Sequence, residues 1–528
     1  MTAASSSDHA YVLCIDLGTG GPKVMLLRDD GAVVAHSFCP VKLHLLPNGG
    51  AEQDPADWWA AITQAAREVT GAGHVRVDDI VGVGSTAQWS GTVAVDSEGS
   101  PLANAILWMD SRGNGAIRKL AGGPVMGYDP RKVLTWIRLT GGGPSLSGKD
   151  PIAHILYVRE ANPDLYAKTA KFLEPCDYLV SKMTGRTVSS YDAITLHWVT
   201  DNRRIDAVDY SPRLLAMTGL DRSKLPELVR PASVVGQLGK EAAEELGVPA
   251  FIPVASATGD IASAAVGSGA VRDFESHLYI GTSSWISCHL PFKKTSITTN
   301  MGSLPSAIPG HYMLADEHET AGACLSFLKD TVLFADDGLT PQRPEGDVFE
   351  ALNALASRAE LGSGNVIFTP WLNGERSPVD DHTLRGGFHN LSLSTTRAQL
   401  VRSVFEGVAY NSRWLLEAVD RFLGRRVEQL NFIGGGANSE LWSQIHADVT
   451  GRAIRQMADP VLANARGAGL LAWLAMGRIK VEDIPAMVPV KATFRPDPEA
   501  SDVYESLFRE FVNLYKANKA VYKRLNRF

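Results

Sequence analysis

Short apolar runs separated by turn residues dominate the start of the chain. Residues 11–15, 24–27 and 32–35 read as strands, and Asp29-Asp30-Gly31 supplies a hairpin turn between the second and the third. Between the first two lies Asp16-Leu17-Gly18-Thr19-Gly20-Gly21-Pro22-Lys23. The pattern predicts an antiparallel ribbon around a glycine-rich loop, unlike the strand-to-helix step of a Walker loop. The period then changes. Asp54-Pro55 opens a helix, and Trp58, Ile62, Ala65, Ala66 and Val69 recur on one face with Trp59 beside it. Residues 80–83 form the next strand, entering Ser85-Thr86-Ala87-Gln88-Trp89-Ser90-Gly91. Strand 92–95 follows, and 105–109 runs into Asp110-Ser111-Arg112. A glycine-rich loop at 141–149 precedes helical patterns at 151–162, 177–184 and 211–218.

Near mid-chain, strand 251–255 meets the polar step Thr258-Gly259-Asp260, and the small residues of 261–266 read as a tightly packed helix. Strand 277–280 then enters Gly281-Thr282-Ser283-Ser284. Beyond it come a helical pattern at 321–334, a strand at 366–370 before Trp371-Leu372-Asn373-Gly374-Glu375-Arg376-Ser377-Pro378, and a long helix at 400–422. Strand 429–433 leads into Gly434-Gly435-Gly436-Ala437-Asn438-Ser439 and a helix at 440–450, and a helix at 502–526 with a basic last stretch ends the chain. The two halves echo one another: CIDLGTGG and LYIGTSSW both run from an apolar strand into Gly-Thr-polar.

At 528 residues the chain exceeds one ordinary core, so two domains are expected. A 45% hydrophobic and 21% charged composition is that of a soluble globular protein, and a net charge of -7 argues against nucleic acid as a partner. No apolar run approaches the ~20 residues of a membrane span. The opening MTAASSSDHA has neither the basic start nor the apolar stretch of a signal peptide and reads as a disordered lead-in over 1–9. Cys14, Cys39, Cys176, Cys288 and Cys324 are scattered and odd in number, which fits buried thiols in a reducing cytoplasm better than disulfides or zinc.

Several polar groups stand where strands end. Glycines let main-chain amides approach phosphate oxygens, Thr19 adds a hydroxyl and Lys23 a compact charge, although such a cluster is also an ordinary turn. Asp260 has two readings: a helix N-cap, or a catalytic base facing a phosphate loop. Asp110 and Arg112 are either ligand-holding groups or a surface ion pair, and the triple glycine is either a nucleotide site or a packing turn. Two glycine–hydroxyl turns, one per half, would clasp a polyphosphate from both sides.

Taken together, these segments resemble the FGGY carbohydrate kinases, and within them the xylulokinase branch, in the family's order from about residue 11 to 477. IDLGTGGPK resembles the first phosphate loop, IGTSS the second and IGGGANSELW the adenosine loop. AEQDPADWW, ILWMDSR and TPWLNGERSP are similar to xylulokinase segments, and TGDIASAAVGSG stands where the family has its catalytic aspartate. The resemblance implies a two-domain actin/hexokinase-like (ribonuclease H-like) α/β ATPase fold, with mixed five-stranded sheets around an interdomain cleft. Its division would be a lead-in at 1–9, an N-terminal domain at 10–267, a C-terminal domain at 268–488 and a closing helix at 489–528. It implies an ATP- and Mg²⁺-dependent kinase acting on a pentulose-like sugar. Asp260 would be the general base, and Asp16 with Asp260 would hold Mg²⁺ through water. Thr19, Gly20, Lys23, Gly281 and Thr282 would border the phosphates, and Gly435, Gly436 and Asn438 the adenosine. Gln88, Trp89, Ser90, Asp110, Asp260 and Ile261 would line the sugar. The alternatives are a kinase for another polyol (ribulose, glycerol or a tetritol) and a non-catalytic sugar-sensing homologue. The expected partner is a small sugar or polyol, without nucleic acid or membrane, and a homodimer is compatible with this.

Departures from the family pattern fall mostly on the sugar side. AQWSG stands for the usual G-Q-M-H-G, so Trp89 and Ser90 replace methionine and histidine, and Ile261 replaces the asparagine after the catalytic aspartate. Both changes remove a hydroxyl partner and put D-xylulose itself in question. Gly20 replaces a serine and Asn438 an arginine on the nucleotide side, and nothing physical accounts for Asn390 in place of a glycine.

Overall fold

The computed structural model describes residues 9–299, 301–338 and 343–526. The lead-in expected over 1–9 therefore lies outside the described residues except for His9. In the first half the strands are β1 (Tyr11–Gly18), β2 (Gly21–Arg28), β3 (Val33–Phe38), β4 (Ile80–Ala87), β5 (Val234–Gln237), β6 (Pro253–Ala255) and the short β7 (Thr258–Gly259). They form one seven-stranded sheet in the order β5-β6-β4-β1-β2-β3, with β7 pairing β4. In the second half, β8 (Ser276–Ile280), β9 (Ser284–Leu290), β10 (Thr295–Ser296), β11 (Met301–Pro305), β12 (Tyr312–His318), β13 (Gln429–Ile433), β14 (Ala453–Met457) and β15 (Val490–Phe494) form an eight-stranded sheet. Its order is β10-β11-β12-β9-β8-β13-β14-β15.

Both sheets exceed the five strands that the resemblance implied. The additions are short edge strands such as β5 and β10, too brief to show a period. The two sheets also share a plan. From β5 to β3 the pairings run antiparallel, parallel, parallel, antiparallel, antiparallel. From β15 through β8 and β9 to β12 the same sequence recurs. The echo between CIDLGTGG and LYIGTSSW is thus a repeated strand–turn–strand at equivalent places in the two halves.

Helix α1 (Pro55–Gly71) begins as its sequence predicts, with the Asp54 side chain accepting the Ala56 amide at 2.8 Å and its apolar face buried. Helix α2 (Asp260–Gly267) and helix α3 (Ala463–Ala475) cross in intimate contact where the two halves meet. A Cβ at Gly267 would lie 1.7 Å from the Ala463 carbonyl oxygen, and one at Gly467 would lie 1.8 Å from that of Ser263. Only glycine permits such an approach. The predicted helix at 321–334 divides into the α-helix Gly322–Phe327 and a wider π-helical turn over Leu328–Leu333, a change that no residue pattern announces. All five cysteines are buried and unpaired. Among the described residues no helix is long and apolar enough to cross a membrane.

The crossing yields a prediction. Gly467→Ala should lower unfolding stability by about 3 kcal/mol in denaturant titration, at the upper end of overpacking costs. Gly71→Ala, where an added Cβ meets nothing within 4 Å, should leave the midpoint unchanged or raised. Equal midpoints for both variants would contradict the close crossing.

Candidate active site

The parallel strands of the first sheet aim their carboxyl ends at one place. Asp16 on β1 pairs in register with Thr86 on β4, and Thr86 with Thr258 on β7. Leu17, Ala87 and Gly259 form the next row, and Asp260 follows as the first residue of α2. Carboxylates from two distant stretches thus leave the same sheet edge, where ligands of open α/β sheets bind. The cap position of α2 belongs to Gly259, so Asp260 is not the N-cap. Its side chain is partly exposed, and its Oδ1 accepts the Ile261 amide at 2.9 Å. Burial first, then the facing charges of Asp16 and Glu317, push the Asp260 carboxyl up to about 7, against the lowering effect of the Ile261 and Trp89 amides. Asp16 is buried. Lys23, its partner across the hairpin, reaches Oδ2 at 3.3 Å, while Oδ1 has no hydrogen-bond partner.

Two hairpin tips flank these acids, and their threonines are differently employed. Thr19 donates its hydroxyl to Gln88 Oε1 at 2.8 Å and accepts from Trp108 Nε1 at 3.1 Å. The neighbouring Gly20 is exposed, with nothing within 4 Å of an added Cβ. On the other side, Thr282 is held by its carbonyl, which accepts the Ala321 and Ala323 amides at the start of helix Gly322–Phe327. Its side chain is exposed and makes no hydrogen bond among the described residues. Tyr279, two residues before Gly281, stacks on Trp285 at 3.7 Å, and its hydroxyl lies within the fields of Asp16 and Asp260. The triple glycine does two jobs. Gly436 is buried, with room for a Cβ taken by the Ile280 side chain, whereas Gly435 and Asn438 are exposed and Gly435 faces open space.

The sugar-side candidates are less free than their sequence suggested. Gln88 is buried, accepting from Thr19 and donating Nε2 to Gln53 Oε1 at 3.0 Å. The Trp89 ring packs against Gly259 within the cluster that includes Ile261, and its Nε1 donates to the Ala193 carbonyl at 2.8 Å. Ser90 stands at φ 68, in the left-handed region, and donates its hydroxyl to the Lys149 carbonyl at 3.0 Å. Asp110 is no surface ion pair: it is buried, and its oxygens accept from the Arg112 guanidinium, the Arg112 amide and the Ala51 amide. That set leaves Asp110 no vacant acceptor to offer a sugar.

Residues that the sequence reading passed over complete the surroundings. Glu317, at the end of β12, faces Asp260 and pairs with the Arg376 guanidinium, which also binds Glu319 at 2.5 Å. Lys149 sits beside this group from the 141–149 loop, its ammonium pulled down in pKa by burial. Beneath the loop, buried Glu174 accepts the Gly91 amide at 3.1 Å. A signal for Arg376 was present in TPWLNGERSP, where two adjacent charges stand in a loop, but nothing in the sequence singled out Glu317 or Glu319.

A cleft lined by facing carboxylates and two glycine–hydroxyl turns is built for moving a charged group between two small molecules, as in sugar kinases. The chain belongs to the FGGY family of carbohydrate kinases: the family's N-terminal domain matches residues 11–267 and its C-terminal domain residues 278–476. It is a sugar kinase. A xylulose kinase of Staphylococcus epidermidis is 28% identical over 96% of this chain and 97% of its own. One of Escherichia coli is 29% identical over 95% and 98%. A ligand-bound xylulose kinase structure from Lactobacillus acidophilus matches at TM-score 0.84 and 21% identity, covering 98% of this chain and 100% of that one. The two-domain fold implied by the resemblance is therefore the fold present.

The raised Asp260 carboxyl has a consequence for stability. An unfolded aspartate titrates near 3.8 and the folded one near 7, so between those values the folded chain holds the extra proton and loses stability as pH rises. Asp260→Asn removes the charge. It should unfold at a higher temperature than the wild type at pH 8, with the gap closing near pH 4, in the ligand-free protein followed by calorimetry. A gap independent of pH would show that Asp260 does not carry this strain.

Proposed function

We propose that this sugar kinase transfers the γ-phosphate of ATP to a hydroxyl of a pentulose-like sugar, in the manner of a xylulokinase. The observation that carries the reading is Asp260: partly exposed at the strand ends beside Asp16, with its carboxyl near 7. A base poised there accepts a proton from an alcohol without holding it too tightly. As the sugar hydroxyl oxygen bonds to the γ-phosphorus, its proton passes to Asp260, the bridging P–O bond breaks and its electrons leave with ADP. The rest is positioning and charge neutralisation. Lys23, the exposed main chain at Gly20, and the Gly281-Thr282 turn would meet the phosphates. Gly435 and Asn438 would border the adenosine, with Gly436 supporting them from below.

The residues present suit a hydrated Mg²⁺. Among the described residues no three His, Cys, Asp or Glu side chains form a cage of their own, and Asp16 Oδ1 is a buried carboxylate oxygen with nothing bound. Asp16 and Asp260 would hold the ion through water, where it would offset phosphate charge. We also divide the chain into an N-terminal domain at 10–267, a C-terminal domain at 268–488 and a closing helix at 489–528, and place the enzyme in the cytoplasm.

A second reading, a kinase for another polyol such as ribulose, glycerol or a tetritol, is favoured by one observation. The Trp89 indole and the Ser90 hydroxyl both spend their donors on protein carbonyls, so neither offers a donor where the family has histidine. A sugar panel with coupled ADP detection and product mass separates the two. Asp260→Asn should bind nucleotide as the wild type does while kcat falls by about 10²- to 10⁴-fold, the usual contribution of a general base. Near-wild-type turnover would remove Asp260 from that role.

A further inference from the structure

Five side chains behind the first hairpin form a closed set of hydrogen bonds. Trp58 Nε1 donates to Gln53 Oε1 at 3.0 Å, and Gln88 Nε2 donates to the same oxygen at 3.0 Å. Gln53 Nε2 donates to the Thr19 carbonyl at 2.8 Å. Thr19 donates to Gln88 Oε1, and Trp108 Nε1 donates to the Thr19 hydroxyl. Gln53, Gln88 and Trp58 are fully or almost fully buried.

The direction of every bond in this set follows from one fact: an indole nitrogen only donates. With Trp58 donating, the oxygen of Gln53 must face it, since a turned amide would set N–H against N–H. That oxygen then requires the nitrogen of Gln88, because a turned Gln88 would oppose two acceptors. Gln88 Oε1 is left facing Thr19, which must give it the hydroxyl hydrogen. Trp108 donates to the same hydroxyl and so also requires its hydrogen to point elsewhere. Two indoles, one at each end, leave Thr19 a single orientation. Its proton points into the protein and is not available to a phosphate oxygen.

We infer that Gln53 and Gln88 are positioning residues that fix the tip of the first phosphate hairpin, and that Gln88 is not a sugar ligand. The set ties that tip to Gln88, the residue that follows β4, and the next residue, Trp89, sends its amide to Asp260. It therefore sets the distance between the phosphate-facing main chain and the base. The inference rests on the kinase reading for its effect on turnover, but the bonds themselves can be tested without it.

Gln53→Met and Gln88→Met keep chain length and remove the amide. Both should lower kcat by about ten- to a hundredfold, the scale of a small misplacement at a reacting centre, and raise the nucleotide KM, with the sugar KM within about twofold of wild type. The double variant should be little worse than either single one, as expected of members of one network. Trp108→Phe should act in the same direction, and Thr19→Ser should retain activity that Thr19→Val loses. Independently of catalysis, ¹⁵N spectra should show the indole resonance of Trp108 shifted by Gln53→Met, since the Gln53 side chain is linked to that indole by hydrogen bonds through Thr19 and Gln88. Should Gln88→Met raise the sugar KM alone while Gln53→Met turns over normally and leaves the Trp108 resonance in place, the inference fails. If the wild type phosphorylates no sugar, the kinase reading fails, and the indole shift still decides whether the network holds.

Discussion

The contact between α2 and α3 is the constraint on which the site depends. Helix α3 comes from late in the chain, yet it packs beneath the first sheet, with the main chain of Ala468 over Gly84 of β4 and Gly469 against Cys14 of β1. It also presses main chain to main chain against α2, through Gly267 and Gly467. The helix that begins with Asp260 is thereby held between the two halves. Its first residue cannot drift relative to β1, so the separation of Asp260 from Asp16 is set by packing and not by the flexible loops around them.

That rigidity sustains an arrangement that is electrostatically unfavourable by itself. Asp16, Asp260 and Glu317 bring three carboxylates to one place, and among the described residues only Lys23 and Arg376 answer them directly. Like charges held together in partial burial favour protonation, which is the condition of Asp260.

The fold was largely legible because its cues are local. Strands 429–433 and helix 440–450 stand where their residue patterns put them, and Asp54-Pro55 caps α1 as it should. The pairing of Asp16 with Asp260 was legible only through the resemblance, since 243 residues of sequence lie between them and no periodicity measures that distance. Side-chain commitments beyond such local caps were not legible. Gln88 and Asp110 look like free polar groups at strand ends, but their partners, Gln53 and Ala51, belong to a segment some distance away in sequence. Whether a polar residue faces a ligand or another residue is settled by tertiary packing, which a single sequence does not display.

The two hairpins make the same point from within the fold. Strand order, turn placement and the Gly-Thr step recur in both halves, so a reading by repetition assigns both threonines one role. Their surroundings separate them. Thr19 is braced by two glutamines and the Trp108 indole, whereas among the described residues Thr282 is anchored only through its carbonyl and leaves its hydroxyl exposed. A tip with a locked hydroxyl presents main chain of fixed geometry, while a tip with a free hydroxyl can turn its donor towards a ligand. The repeat therefore supplies one rigid wall and one adaptable wall.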